Sequence, residues 1–264
     1  MGMIASMNPT PLPLDPCNSL RLTAEQMAQF HDQGYVIVKG LVRPEAIAAF
    51  RDETLEIVRA RNLDKAYLGQ SWEYLANGMI DRWLHGGNLK ALVESILEGP
   101  ASLYLPFTAV KGPQQGRFTF HQDNQYTACR GPARHIGLNV WTALVPMSVA
   151  NGCLQIVPES HLAGTRVSTA SADCPGHKMV TEEPSSWIDC IMEAGDAVIF
   201  DRLNVHGSGE NRTDAPRIAY AVQWHRHDTE AFIDGSWDLL SRRPAYPLAQ
   251  RPVAALTTEK QRGE

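Results

Sequence analysis

The sequence lacks any apolar stretch of about 20 residues, the length that a membrane-spanning helix needs. Its first 18 residues also lack the charged start and apolar centre of a secretory signal. The four prolines in this segment predict a flexible leader over residues 1–18. These absences favour a cytoplasmic protein without a membrane partner.

A basic excess is missing too. The chain has 264 residues, with 24 Lys and Arg against 29 Asp and Glu, and a formal net charge of −5. Nucleic acids and anionic membranes bind concentrated basic surfaces, so neither is expected as a partner. A small-molecule substrate is expected instead, and the sequence leaves the oligomeric state open.

Paired cysteines are also absent. The five cysteines are scattered and never form a C-x-x-C pair. Disulfide frameworks and zinc ribbons need closer and more regular spacing, so these thiols are expected to be reduced. A reducing compartment agrees with the cytoplasmic prediction.

Helical signals dominate the first 100 residues. Thr23 and Gln26 have the spacing of a capping box at the start of a helix. The predicted elements are a helix ending near Gly34, a strand over residues 35–38, a helix from Pro44 and a helix over residues 89–97. We therefore predict a helical part over residues 19–100.

Short β-rich segments follow from about residue 102, separated by Gly, Pro and Asn. The predicted strands cover residues 103–110, 118–121, 136–144, 153–157, 197–200 and 218–224. Strands that follow helices rather than alternate with them predict a mainly β sandwich or jelly-roll with flanking helices. The predicted organisation is one domain over residues 19–250 with a β core at 101–228, a candidate lid at 162–188 and a polar tail at 251–264.

His121, Asp123 and His206 form the most informative pattern. Positions i and i+2 of a strand face the same side, so His121 and Asp123 can project into one cavity. A jelly-roll brings distant strands together, and His206 can complete the set. Two imidazoles and a carboxylate leave open positions on an octahedral metal, as in iron(II) oxygenases. Alone, H-x-D is equally well explained by a hydrogen bond between His121 and Asp123 at a strand end.

The segment after His206 supplies a second clue. Arg217 begins a strand-like run, and a buried guanidinium is costly unless its fork pairs with a carboxylate. A dicarboxylic co-substrate that chelates a metal needs such a partner at its far end, where Ser208 can add a hydrogen bond. Without the upstream histidine, Arg217 would be interpreted as a surface arginine beside a turn.

Short motifs follow one another along residues 20–225. They are Leu22-Thr23-Ala24-Glu25-Gln26, Gly34-Tyr35-Val36-Ile37-Val38, Lys111-Gly112-Pro113, Phe120-His121-Gln122-Asp123, Trp141-Thr142-Ala143-Leu144, Asn151-Gly152-Cys153-Leu154, Pro158-Glu159-Ser160-His161, Ala194-Gly195-Asp196 and His206-x-Ser208. Their order resembles the phytanoyl-CoA dioxygenase family of iron(II) and 2-oxoglutarate-dependent oxygenases. Two departures are Glu159, where that family usually has glycine, and the region after Trp224, which matches nothing.

The resemblance implies a double-stranded β-helix of the cupin-like kind, with Fe(2+) as cofactor and 2-oxoglutarate and O2 as co-substrates. The residues implied to bind the metal and then 2-oxoglutarate are His121, Asp123 and His206, followed by Arg217, Ser208 and Trp141. Halogenating relatives leave a small residue at the position of Asp123, so its carboxylate indicates oxygen transfer. The expected reaction is hydroxylation of an unactivated C–H bond of a small organic metabolite, with release of succinate and CO2.

The candidates for substrate contact are Gln125, Tyr126, Trp224 and His225. The first two follow the H-x-D segment, where ordinary loop polarity explains them equally well. The last belongs to a second H-x-H pair with His227, for which no third metal ligand is apparent. His161 is expected to mark a turn, and Lys111 is expected to be an exposed strand residue.

Three other functions stay open. The same oxygenase chemistry can end in desaturation, cyclisation or epimerisation, which the mass of the product distinguishes. A cupin-like isomerase or hydrolase can use the same ligands with another metal, and it would act without oxygen and 2-oxoglutarate. A binding or sensing protein of this fold would fail to bind iron or 2-oxoglutarate.

Overall fold

The computed structural model describes residues 13–63, 68–242 and 251–256. Four α-helices lie in this part of the chain: α1 (Ala24–Gln33), α2 (Pro44–Ala60), α3 (Met79–His85) and α4 (Gly87–Ile96). None of them has the length and apolar character of a transmembrane segment.

Local signals explain where α1 begins and ends. The side chain of Thr23 accepts from the backbone of Gln26, and the Gln26 side chain accepts from the backbone of Thr23, so the predicted capping box is confirmed. Gly34 ends the helix in a left-handed conformation with φ of 79°. A Cβ at this position would overlap the side chains of Asn204 and His161, so only glycine fits.

The short helix α3 was not predicted, because its N-terminal cap comes from a distant residue. The buried carboxylate of Glu53 on α2 accepts hydrogen bonds from the backbone N–H groups of Met79 (2.6 Å) and Ile80 (3.2 Å). These are groups that a helix start leaves unpaired. Burial raises the pKa of Glu53, while the backbone donors favour its charged form.

Sixteen strands are present in the described residues. They are β1 (Tyr35–Val38), β2 (Glu73–Leu75), β3 (Ala101–Lys111), β4 (Phe118–His121), β5 (Cys129–Arg130), β6 (Gly137–Ala143), β7 (Leu154–Ile156), β8 (Ser168–Ala170), β9 (Lys178–Val180), β10 (Ile188–Asp189), β11 (Ala197–Asp201), β12 (His206–Ser208), β13 (Arg217–Arg226), β14 (Glu230–Ile233), β15 (Ser236–Leu239) and β16 (Arg251–Val253). Short 3-10 helices cover Asp123–Gln125, Ser160–Ala163 and Leu240–Arg242.

Two antiparallel sheets form the centre of the molecule. The larger has the order β1-β11-β6-β13-β3, and the smaller has the order β10-β7-β12-β4. Smaller sheets of order β15-β14-β5, β16-β2 and β8-β9 lie outside them. This mainly β architecture with helices before it confirms the predicted fold class.

Alternating side chains give the larger sheet two different faces. On β11, Ala197 and Ile199 belong to the core that packs against the helices. Val198 and Phe200 face the other way and pack with residues of the smaller sheet. Successive side chains of a strand point to opposite faces of the sheet, and β11 is buried on both faces. The space between the two sheets is therefore where inward side chains can meet.

Parts of the predicted leader and of the predicted tail make contacts with the fold. In the predicted leader, Cys17 is buried and pairs with Val42 as an isolated β-bridge, whereas Leu14 is exposed. In the predicted polar tail, β16 pairs in parallel with β2. Residues 1–12 and 257–264 lie outside the described residues. The single-domain boundaries and the cytoplasmic location stay predictions.

Candidate metal centre

His121 and His206 are brought together by strand pairing in the smaller sheet. His121 ends β4, His206 begins β12, and the two residues lie directly opposite each other in this antiparallel pair. Their ring centroids are 4.2 Å apart. The register of this strand pair therefore places His206 beside His121, although the strand of His206 was not predicted.

Asp123 completes a group of three possible ligands. The ligand atoms of His121, Asp123 and His206 all lie within 4.8 Å of one another, and all three residues are buried. His206 Nε2 is 3.8 Å from Asp123 Oδ1. This compact group of two imidazoles and one carboxylate is the donor set of a facial iron(II) site with open positions.

Asp123 does not lie on the strand of His121, contrary to the prediction from the sequence. β4 ends at His121, and Asp123 begins the 3-10 helix Asp123–Gln125. The turn is held by Gln122, whose amide donates to the carbonyls of Gly164 (2.9 Å) and Leu203 and accepts from a backbone N–H. The carboxylate therefore reaches the two imidazoles from a turn rather than from the face of a strand.

Hydrogen bonds select the tautomer of both histidines. His121 Nδ1 lies 2.9 Å from the carbonyl oxygen of Thr119, and His206 Nδ1 lies 3.0 Å from that of Asn204. A carbonyl only accepts, so each Nδ1 carries the proton and each Nε2 keeps its lone pair for a metal. Burial and then the nearby His206 lower the pKa of His121 well below its usual value, which keeps its ring neutral.

Arg217 lies buried on β13, close to this group. Its guanidinium carbon is 5.0 Å from the centre of the Trp141 ring, and Nη1 donates to the carbonyl of Gly152 at 3.3 Å. Its Nε has no hydrogen-bond partner, and no carboxylate of the described residues forms an ion pair with it. Burial lowers the pKa of Arg217 to about 10, so the group is still charged at neutral pH. An anionic ligand fits this unpaired cation.

Lys111 adds a second buried basic side chain, although the sequence predicted it to be exposed. Lys111 on β3 is 0% exposed and lies directly opposite Arg217 on the neighbouring strand β13. Its ammonium group donates to Ser208 Oγ at 2.9 Å and to the carbonyl of Gly209. Burial, followed by the charge of Arg217, lowers the pKa of Lys111 to about 6. The alternation along β3 could have predicted the burial of Lys111. Residues two apart on a strand face the same side, and Ala109 also faces inward.

These residues surround a cavity of about 500 Å³. The residues predicted to bind the metal and 2-oxoglutarate that line it are His121, Asp123, His206, Arg217, Ser208 and Trp141. Tyr126, a predicted substrate contact, lines it as well. Within the predicted lid at 162–188, His177 reaches the cavity and lies 3.3 Å from the Tyr126 hydroxyl. The lid function stays a prediction.

The other three predicted substrate contacts do not line this cavity. Gln125 is turned to the backbone of Gln122 and Arg166. Trp224 is part of the core against the helices. His225 is buried against Tyr104, with ring centroids 4.3 Å apart. Strand parity explains Trp224, which lies on the same face of β13 as Tyr220 and Val222. His225 has the parity of Gln223, but its ring is covered by Tyr104 and contacts Arg202, so it does not reach the cavity.

Two further histidines lie outside the cavity. His161 lies in the 3-10 helix Ser160–Ala163, and its Nε2 is 3.1 Å from the carbonyl of His31, so it marks a turn as expected. His227 is exposed, and the described residues contain no second group of possible metal ligands.

The fold and the site together define a class, that of the non-haem iron and 2-oxoglutarate-dependent oxygenases. Among solved structures, the non-haem monooxygenase ThoJ is 21% identical, covers 86% of this chain and 88% of its own, and has a TM-score of 0.66. The epimerase SnoN, solved with Fe3+, α-ketoglutarate and nogalamycin RO, is 20% identical over 88% and 95% of the two chains, with a TM-score of 0.61. Both structural similarities support the cupin-like fold.

The sequence comparisons narrow the class to a family. The model of the phytanoyl-CoA dioxygenase (PhyH) family matches residues 30–219, and the chain belongs to this family. Human peroxisomal phytanoyl-CoA dioxygenase is 26% identical over 254 residues, which cover 81% of this chain and 71% of the human protein. The predicted family is thereby confirmed, and the protein is an oxygenase of this class.

Proposed function

We propose that the protein hydroxylates an unactivated C–H bond of a small organic metabolite, using iron(II), 2-oxoglutarate and O2 and releasing succinate and CO2. One observation carries the proposal. His121, Asp123 and His206 converge, buried, beside a cavity whose wall holds an unpaired guanidinium. The family and the donor set agree with this chemistry.

The metal would be held by Nε2 of His121, Nε2 of His206 and a carboxylate oxygen of Asp123. The backbone hydrogen bonds at both Nδ1 atoms keep the rings in the required tautomer and orientation. Asn139 donates to Asp123 Oδ2 at 3.4 Å, which leaves Oδ1, the oxygen nearer His206, for the metal. Bound iron(II) would supply the oxidising chemistry, coupled to decarboxylation of 2-oxoglutarate.

The far carboxylate of 2-oxoglutarate would pair with Arg217. Ser208 and Lys111 are close enough to one another to form the second side of this subsite. Trp141 lies under the guanidinium and restricts its position. A ligand carboxylate here would supply the missing partner of the buried Arg217 charge. Hydrogen bonds between an arginine and a carboxylate are among the strong charge-assisted ones.

Metal binding tests the first half of the proposal. The Asp123→Ala variant should lose iron(II) binding in an anaerobic titration and should lose succinate formation. Asp189→Ala removes a carboxylate of the same smaller sheet that lies outside the cavity, and it should keep both. Wild-type iron affinity in Asp123→Ala would contradict the assignment.

Product analysis tests the second half. Hydroxylation adds one oxygen atom to the mass of the substrate, desaturation removes two hydrogens, and epimerisation leaves the mass unchanged. Turnover without oxygen and 2-oxoglutarate would instead support an isomerase or hydrolase. Failure to bind iron and 2-oxoglutarate would support a binding protein.

A further inference from the structure

The part of the cavity that remains beyond the metal and co-substrate residues carries no formal charge. Asp123 and Arg217 are the only acidic or basic side chains, apart from histidines, among the described residues that line it. The remaining wall is largely apolar, with the aromatic rings of Trp72, Tyr104 and Phe107 and several leucines. Its polar groups are the amides of Gln70, Asn139 and Gln223, the hydroxyl of Thr127 and the pair formed by Tyr126 and His177. An anionic group on the substrate would therefore find no free cation inside the cavity.

Asn139 is a buried polar residue of this wall with an unfilled hydrogen bond. It is 2% exposed, lines the cavity, and its Oδ1 has no partner. The orientation of the amide follows from its other contact: Asp123 Oδ2 lies 3.4 Å from Nδ2, and a carboxylate only accepts. The free atom is therefore the acceptor. A buried acceptor without a partner is rare enough to need an explanation.

Gln223 lies beside Asn139 in the sheet. The two residues are direct neighbours in the antiparallel pair of β13 and β6, and both line the cavity. No hydrogen bond to the Gln223 side chain occurs within the described part of the chain. Gln223 has the parity of Ala219 and Ala221, which face the space between the sheets. Two amides thus lie together next to the metal ligands.

Only a donor can satisfy Asn139 Oδ1. At neutral pH 2-oxoglutarate has acceptor oxygens but no N–H or O–H group, so it cannot fill this position. The substrate can do so with a hydroxyl or an N–H group. Gln223, which both donates and accepts, can bind the same group or its neighbour.

We infer that Asn139 and Gln223 form the polar half of the substrate site, and that the substrate is an uncharged molecule with a hydroxyl or N–H group close to the oxidised carbon. The inference rests on the proposed function and adds the substrate class to it. The apolar remainder of the substrate packs on Trp72, Tyr104 and Phe107. Acyl-CoA thioesters carry several negative charges and fall outside this substrate class.

The test uses the iron- and 2-oxoglutarate-loaded enzyme and measures how far a compound stimulates succinate formation. The probes are naringenin, estradiol and similar hydroxylated neutral compounds, each matched with its O-methyl ether and a carboxylic acid of the same skeleton, together with octanoyl-CoA and palmitoyl-CoA. We expect the hydroxylated parents to stimulate best, with kcat/KM at least about tenfold above that of their ethers, because a site built for a hydroxyl rejects the analogue without it.

Variants assign the effect to the two amides. Gln223→Leu and Asn139→Val should each remove most of the preference for parent over ether. Thr142→Val is the matched control, because Thr142 lies on β6, is buried without a hydrogen-bond partner and does not line the cavity. It should keep the preference. Iron(II) affinity is measured for every variant, since Asn139 also contacts Asp123.

Several outcomes would overturn the inference. They are strongest stimulation by a carboxylate or a CoA thioester, no stimulation by any neutral probe, equal rates for parent and ether, or an unchanged preference in both amide variants. In each case the iron(II)–2-oxoglutarate charge-transfer absorption band is still present. If that band is absent from the wild-type protein, the proposed function itself fails.

Discussion

Two buried arginines lie near the metal centre, and they differ in how many of their hydrogen bonds the protein fills. Arg202 and Arg217 are each 2% exposed, and neither has a carboxylate partner among the described residues. Arg202 donates to Asn124 Oδ1 and to the carbonyl of Thr127, both at 2.9 Å. It also contacts the carbonyl of Asp123 at 3.4 Å and the ring of His225.

Arg217 has far fewer partners. One of its nitrogens donates to the carbonyl of Gly152, and its Nε has none. Its other neighbours are the ring of Trp141 and a second basic side chain, Lys111. A buried charged group whose hydrogen bonds are filled by the protein stabilises the fold. A buried charged group with unfilled donors is available to bind an anionic ligand. Arg202 therefore stabilises the segment 123–127, whereas under the proposed function Arg217 would bind the co-substrate.

The largest effect is expected at Arg217. Arg217→Met should weaken 2-oxoglutarate binding by about 100-fold or more, equivalent to ~3 kcal/mol, because the ligand carboxylate loses its buried partner. The free energy of unfolding of the ligand-free protein should stay the same or rise, since an unpaired buried charge is removed. Calorimetric titration and denaturant unfolding measure the two quantities. A large loss of stability would show that Arg217 is structural.

Arg202→Met should show the opposite pattern. It leaves the carbonyls of Asp123 and Thr127 without their donor, so we expect a loss of ~3 kcal/mol of stability and a decrease in Tm of roughly 5–10 °C. Iron(II) binding should weaken by about tenfold, because the turn that carries Asp123 is less well held. Tm is measured without metal. If Tm stays at the wild-type value, Arg202 has no structural role.

A smaller effect is expected from pH through Lys111. Its pKa of about 6 lies below that of an exposed lysine, because of burial and then Arg217, while the exposed Glu210 acts in the opposite direction. Above pH 6 the free protein holds Lys111 neutral. A bound carboxylate favours the charged form of Lys111, so binding of 2-oxoglutarate should take up a proton. Above pH 6 the affinity should therefore fall as the pH rises, by up to about tenfold per pH unit.

Calorimetry in buffers of different ionisation enthalpy measures that proton, and Lys111→Met should abolish it. The same pKa has a consequence for stability. Between pH 6 and the pKa of the unfolded lysine, the unfolded chain binds more protons than the folded one, so this residue makes stability rise with pH. Proton uptake of zero at pH 8 in the wild type would contradict the assignment.

The smallest effect is expected at His225. Its Nε2 contacts Arg202, and its ring stacks on Tyr104 with centroids 4.3 Å apart. His225→Phe keeps the stacking and removes one of several partners of Arg202, so we expect a loss of ~1 kcal/mol in denaturant unfolding. 2-Oxoglutarate affinity should not change. If the affinity for 2-oxoglutarate falls as far as in Arg217→Met, Arg202 and Arg217 do not have separate roles.

The sequence predicted the strands of the larger sheet well and those of the smaller sheet less well. Residues 118–121 were predicted as a strand and form β4, whereas β12 was missed because its three residues are too few to show a period. The lysine at 111 was misplaced because a charged side chain normally indicates exposure. Parity along β3 overrides that rule here.

What the sequence determined by itself is local. The capping box at Thr23, the glycine at 34 and the alternation along β11 and β13 follow from backbone chemistry within a few residues. The tertiary structure alone decided that His206 faces His121 and that Lys111 faces Arg217. Both pairings depend on which strands become neighbours and in which register. Hydrogen bonds between segments far apart in the chain set that register, and the register places the basic side chain of Lys111 beside the buried charge of Arg217.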